Sequence, residues 1–131
     1  MFDLPEAFVE QMQRQLGAAL PDFLHTYDLP YARGIRMRPG IPAHPEALQP
    51  VPWAMDAYYL PLESKAGATP QHEAGGFYLQ EPSAMTAAAV LHPEKGEKVL
   101  DLCAAPGGKS TQLAAYLQGT GLLVCNEPVP G

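Results

Sequence analysis

The apolar positions of the chain change period along its length, and each change marks an element. Phe8, Val9, Met12, Leu16 and Ala19 recur at helical spacing and predict an amphipathic helix ending near Gly17 to Leu20. Asp3 with Glu6 three residues later, and Pro5 in the first turn, form a capping-box-like start. The Phe8 stripe reads as core rather than a docking face. Pro21 opens a second short helix carrying Phe23, Leu24 and Tyr27, which Asp28 to Pro30 breaks. The period then falls to two. Ile35 and Met37 alternate with Arg36 and Arg38, the pattern of a half-exposed strand. Five prolines at 39, 42, 45, 50 and 52 make the next stretch a loop, and Trp53, Tyr58 and Tyr59 after it suit a small core.

Residues 64–76 are polar and glycine-rich and predict a boundary between an N-terminal module, 1–63, and a second unit, 64–131. His72 and Glu73 fall here. A metal site needs more ligands close by, so no metal is expected. Phe77 to Leu79 is extended. A helix follows from Pro82 and Ser83 to about Leu91, ended by His92-Pro93. Val99, Leu100, Leu102 and Cys103 form a buried-strand run that enters the small-residue loop Ala104 to Gly108. Leu113, Ala114 and Leu117 then lie on one face of a helix stopped by Gly119, and Gly121 to Cys125 is a second apolar strand.

Strand, glycine turn, helix is the unit that binds cofactors at the carboxyl edge of an open α/β sheet. The glycines allow close backbone approach, and the helix start offers free N–H groups. Three ligands compete for this loop. A phosphate loop requires a glycine five residues before Gly108, where Cys103 stands. A dinucleotide loop requires G-x-G-x-x-G, which Pro106 to Thr111 does not supply. The third is S-adenosylmethionine, which asks for an acidic strand residue, a small-residue glycine loop and a distal acid for the ribose. Asp101, the loop, and Glu127 twenty residues after Gly107 provide all three.

Charge narrows the partners less sharply. The 131 residues carry a formal charge of −6, unlike a general nucleic-acid binder. All four arginines precede residue 40, however, and Arg33, Arg36 and Arg38 fall within six residues. That cluster suits either a phosphate-contacting patch or a solvated strand edge. The two cysteines, Cys103 and Cys125, lie in apolar runs and predict reduced, buried thiols. Acidic residues interrupt the amino terminus and no apolar run reaches bilayer length, so a cytoplasmic protein without membrane association is expected.

The segment DLCAAPGGKST, residues 101–111, closely resembles the cofactor loop of the Sun-type (RsmF-like) RNA cytosine-5 methyltransferases. GGFYLQEPSAM at 75–85 resembles the segment these enzymes carry before their cofactor strand, and GIRMRP and VPWAMDAYYL resemble their N-terminal region. The resemblance implies an α/β fold, with a small α+β N-terminal module followed by a truncated Rossmann-like methyltransferase unit. It implies S-adenosyl-L-methionine as methyl donor and RNA, ribosomal RNA or a ribosomal subunit, as acceptor. The cofactor residues it implies are Cys103, Ala104, Ala105, Pro106, Gly107, Gly108 and Lys109, with Glu127 on the ribose. Gln80 and Ser83 become candidates to line the pocket, although Ser83 equally suits a helix cap.

The same resemblance implies a cysteine nucleophile within a Pro-Cys pair and a second, Thr-Cys pair, and neither pair occurs. Cys103 matches a cofactor-loop position and Cys125 a strand interior, so no catalytic residue is assigned. The expectation is the front portion of a methyltransferase, inactive alone, with Val99, Leu100, Leu122 and Val124 in need of cover. Two alternatives remain: a non-catalytic RNA- or partner-binding module, and a methyltransferase with another acceptor.

Overall fold

A computed structural model describes residues 4–128, and the chain divides into two compact units, the second starting at Ala32. The first holds two helices, α1 (Glu6–Leu16) and α2 (Leu20–His25), joined by a 3-10 turn, Gly17–Ala19. Its side-chain centre is aromatic. Phe8 meets Phe23 and Tyr27 with ring centroids 6.3 Å apart, and Phe23 and Tyr27 stand edge-on at 5.6 Å. No residue of α1 is fully buried, so its stripe is only partly covered. Pro5 occupies the N-cap, and the expected Asp3 cap lies outside the described residues.

The second unit contains two sheets. In the first, β1 (Arg33–Met37) lies between β2 (Ala57–Leu60) and β3 (Phe77–Leu79), all antiparallel. Ile35 faces Tyr58 and Leu79 across the ladders, and Arg36 faces Ala57 and Tyr78. Ile35 and Met37 point into a core with Leu60, Ala66 and Phe77. The opposite face packs Val51, Ala54, Ala57 and Met85. Gly34 makes this second layer possible. A Cβ there would stand 2.6 Å from the Gln80 carbonyl oxygen and 3.1 Å from Met85 and Pro82. Central placement, not propensity, therefore buries β1 on both faces, and the half-exposed strand expected from its alternation does not form.

Residues 64–76 carry a 3-10 turn, Ala66–Ala68, and a short helix, α3 (Pro70–Glu73), which Thr69 caps through the His72 N–H. The helix expected from Pro82 divides into a 3-10 turn, Pro82–Met85, and α4 (Thr86–Leu91). Glu81 causes the tight start: its carboxylate accepts from Ala84 N at 3.1 Å and from the Ser83 hydroxyl.

The second sheet pairs β4 (Lys98–Asp101) with β5 (Leu122–Cys125) in parallel, with α5 (Gly108–Leu117) as the crossover. Val99 and Leu123 pack beneath Ala88, Leu113 and Tyr116 of α4 and α5. The alternate positions face outward: Leu100 is 58% exposed, Leu122 51% and Val124 46%. Among the described residues the sheet thus has helical cover on one face only, whereas its apolar runs call for cover on both; of the four positions expected to need cover, Val99 has it and Leu100, Leu122 and Val124 do not. The cysteines differ from expectation. Cys103 lies beyond the end of β4 and Cys125 closes β5 at the bare edge, and both thiols are exposed.

Candidate functional site

The loop from Leu102 to Gly107 leaves β4 and enters α5, and its own polar groups determine its shape. Asp101, the last residue of β4, is buried. Its Oδ1 accepts from Cys103 N at 3.1 Å, and its Oδ2 accepts from the Ser110 hydroxyl at 2.6 Å. Both oxygens therefore brace the loop against the first turn of α5. Ala104 N donates to the Asn126 carbonyl at 3.1 Å, and Ala105 N donates to Glu127 Oε2 at 3.0 Å. Three successive amides thus tie the loop to the ends of β4 and β5. Glu127 thus stands against the loop, two residues beyond the end of β5.

Pro106 follows a cis peptide bond, and its carbonyl accepts from Tyr78 Oη at 3.2 Å. Gly107 caps α5 at φ 105°, a left-handed conformation that disfavours any side chain. A Cβ there would meet nothing within 4 Å, so the loop is open on this side. The helix behind it is ten residues long, enough to present its first-turn N–H groups and positive dipole end to an electron-rich group. Cys103, Ala104, Ala105, Pro106, Gly107, Gly108, Lys109 and Glu127 are thereby brought to one strand-loop-helix edge. Of the other candidates, Gln80 is buried behind the loop and Ser83 bonds Glu81.

Two residues behind the loop were not expected there. Arg36 is 5% exposed and bridges three elements. Its Nε donates to Gln80 Oε1 at 3.3 Å, and its Nη2 donates to the Gly108 carbonyl at 3.2 Å and Thr111 Oγ1 at 2.6 Å. Its guanidinium lies 5.7 Å from the Tyr78 ring centroid. Burial lowers its pKa, opposed by the Tyr78 and Tyr116 phenols. Gln112, 2% exposed, donates through Nε2 to the Met85 carbonyl at 3.1 Å and ties α5 to the turn before α4. The sequence carries a signal for Arg36: Gly34 on the same face and Ala57 opposite it leave room for a long side chain.

Elsewhere, Arg33 is tied to the Leu62 and Ser64 carbonyls, so the three arginines do not form one patch. Trp53 donates to the Pro82 carbonyl at 3.0 Å while remaining partly exposed. His72 packs on Phe77 with centroids 5.5 Å apart, and among the described residues no cluster of three metal-ligating side chains occurs. No helix among the described residues is long and apolar enough to cross a membrane.

Comparison with known proteins matches two family models to consecutive stretches of the chain. A model of the N-terminal domain of 16S rRNA methyltransferase RsmF matches residues 4–82, and a model of 16S rRNA methyltransferase RsmB/F matches residues 88–130. Ribosomal RNA small subunit methyltransferase F of Vibrio campbellii is 36% identical over 141 residues, covering 95% of this chain and 30% of that protein. The Cronobacter sakazakii protein of the same name is 32% identical over 142 residues, with the same coverage. The chain therefore spans about 30% of the length of these relatives. A methyltransferase homologue from Pyrococcus horikoshii superposes with a TM-score of 0.73 at 24% identity, over 93% of this chain and 48% of that one. A second solved structure gives 0.79 at 23% identity, over 92% and 30%. These two establish a shared α/β fold. By the match over residues 4–82, the chain belongs to the family of the RsmF N-terminal domain, continued into the RsmB/F methyltransferase region.

Proposed function

We propose that this chain is the front portion of an S-adenosylmethionine-dependent RNA cytosine-5 methyltransferase acting on ribosomal RNA. In this reading residues 1–63 serve the RNA side and residues 64–131 begin the cofactor domain, and the reaction takes place in the cytoplasm. The observation that carries the reading is the braced loop at 103–109 with Glu127 hydrogen-bonded to its Ala105 amide. The cofactor supplies an electrophilic methyl group when bound. The open backbone at Gly107 and the first-turn amides of α5 suit its carboxylate. Glu127, held by Ala105, is positioned to accept from the ribose hydroxyls. Lys109 adds a cation in the same turn, facing either that carboxylate or the RNA.

Asp101 does not take part directly, because its oxygens hold Cys103 N and Ser110. Neither exposed thiol is assigned as nucleophile, since the Pro-Cys and Thr-Cys pairs of the resembling enzymes are not in these residues. The test is calorimetric titration of S-adenosylhomocysteine into the chain and into Glu127→Ala. Binding by the first and its loss in the second is expected. Equal binding by both, or none by either, refutes the assignment.

A further inference from the structure

A cavity of about 700 Å³ opens along the flank of α5, between that helix and the β1–β3 side of the first sheet. No residue of the 103–109 loop lines it. Its lining contains two arginines, Arg36 and Arg38, and no carboxylate, in a chain whose net charge is −6. Arg36 is buried, and no carboxylate among the described residues pairs with it. Its Nε and Nη2 are taken by protein acceptors, while Nη1 has none. The side chain of Arg38 has no partner among the described residues, and the backbone that carries it is fixed by a 3.0 Å bond from Arg38 N to the Gly76 carbonyl. A buried cation is ordinarily matched by an anion, and here the protein provides none.

The rest of the lining is graded. Tyr78 presents an aromatic ring beside the guanidinium, and Ala114 gives a small apolar floor on α5. Gln118 lies at the far end, where α5 ends in a left-handed cap. The carbonyl end of a helix repels anions and favours hydrogen-bond donors. One end of the cavity thus favours negative charge and the other a neutral group rich in donors. Its size lies within the usual range for a small-ligand site.

We propose that this cavity holds one nucleotide of the RNA strand, its phosphate at Arg36 Nη1 and Arg38 and its ribose or base toward Gln118. The proposal rests on the reading of the chain as an RNA methyltransferase front portion and adds to it a strand contact separate from the cofactor loop. Phosphate neutralisation by arginine makes affinity salt-dependent, with a slope near 0.7 per contacted phosphate for single strands.

The test is fluorescence anisotropy of a labelled single-stranded RNA dodecamer titrated with the full chain over a range of salt. Arg38→Glu and Ala114→Glu are both exposed positions that leave the fold intact, and each is expected to weaken binding about tenfold. Arg38→Glu also flattens the salt dependence by about 0.7, and Arg38→Lys retains most of the affinity. Arg14→Glu, exposed on α1, makes the same change in net charge and is expected to leave binding nearly unaltered. Equal losses in Arg14→Glu and Arg38→Glu, unchanged binding in Arg38→Glu and Ala114→Glu, or no binding by the unmutated chain each overturn the proposal. S-adenosylhomocysteine titrated into the same preparations separates the two failures: if it binds while RNA affinity ignores the cavity variants, only the cavity is wrongly assigned.

Discussion

Replacing Arg36 with methionine removes the guanidinium while keeping much of the buried stem. The arginine makes three hydrogen bonds, to Gln80 Oε1, the Gly108 carbonyl and Thr111 Oγ1, of which the last, at 2.6 Å, is the shortest. A bond from a charged donor contributes about 1.5–3 kcal/mol. Three of them total roughly 4.5–9 kcal/mol before desolvation of the cation is subtracted, and that penalty is several kcal/mol. Of the acceptors left behind, Gly108 O also accepts from Thr111 Oγ1, whereas Gln80 Oε1 loses its donor, because the Gln80 bond to the Ala84 carbonyl is made by Nε2. The net loss is therefore expected near 3 kcal/mol, a large part of the ~5–15 kcal/mol of a typical domain. Urea unfolding followed by circular dichroism measures it. Thr111→Val should cost about 1 kcal/mol, and the double variant should show a coupling of about 1 kcal/mol. A loss below about 0.5 kcal/mol in Arg36→Met, or strict additivity with Thr111→Val, would refute the bridge as a stabilising contact.

Three further outcomes follow from the contacts. Partial desolvation raises the Glu81 pKa, but bonds from Ser83 and the Ala84 amide outweigh it, so the folded value lies below the usual one. Stability from this cap is therefore present above the unfolded pKa and lost as pH falls through the lower folded value; it is small because the carboxylate is exposed, and Glu81→Gln should flatten the acid limb of the stability profile. Ser110→Ala removes the hydroxyl on the buried Asp101 carboxylate and should destabilise by about 2 kcal/mol in the same urea assay, while Ser110→Thr recovers part of it. Gly34→Ala forces a methyl against the Gln80 carbonyl at 2.6 Å and should cost about 1–3 kcal/mol; a neutral result would show that β1 and the 80–85 segment can separate freely.

The strand-loop-helix unit is legible in the sequence because its signals are local. An apolar run, a glycine pair and a 3.6-residue period lie consecutively, and strand, helix and strand form in that order, although β4 ends at Asp101, before the Leu102 and Cys103 of the expected run. Glu127 reaches the loop because the parallel register sets Asp101 opposite Cys125, two residues before it. Burial is less legible, because it depends on what packs above a residue. Arg36 alternates with apolar neighbours as a surface residue would, yet β2 and β3 flank its strand, and Gln80 and α5 cover its side chain. Cys103 and Cys125 sit in apolar runs, yet both are exposed, because no described element covers that edge. Asp101 matches the acid of a cofactor site by position, but Ser110, nine residues later, engages it from the helix.

Under the proposed function, the loop's internal bracing decides which term limits cofactor binding. The amides of Cys103, Ala104 and Ala105 are all held by acceptors within the β4–β5 unit, so the loop is ordered by folding and not by the ligand. A pre-formed site avoids the ordering cost that binding otherwise carries. What the described residues do not supply is apolar cover on the outer side of the sheet, where Leu100, Leu122 and Val124 remain about half exposed. At about 25 cal/mol per Å², leaving one face of an adenine-sized ring in water forfeits roughly 2 kcal/mol. Since 1.4 kcal/mol is tenfold, that is a loss of about thirtyfold in affinity. S-adenosylhomocysteine is therefore expected to bind the 131-residue chain weakly, well above the low-micromolar range. The shortfall resides in the purine: adenosine should gain little over ribose-containing fragments that reach Glu127. Low-micromolar binding in calorimetry would mean that the outer face is covered in solution, and sedimentation of the same sample would then show a species larger than one chain.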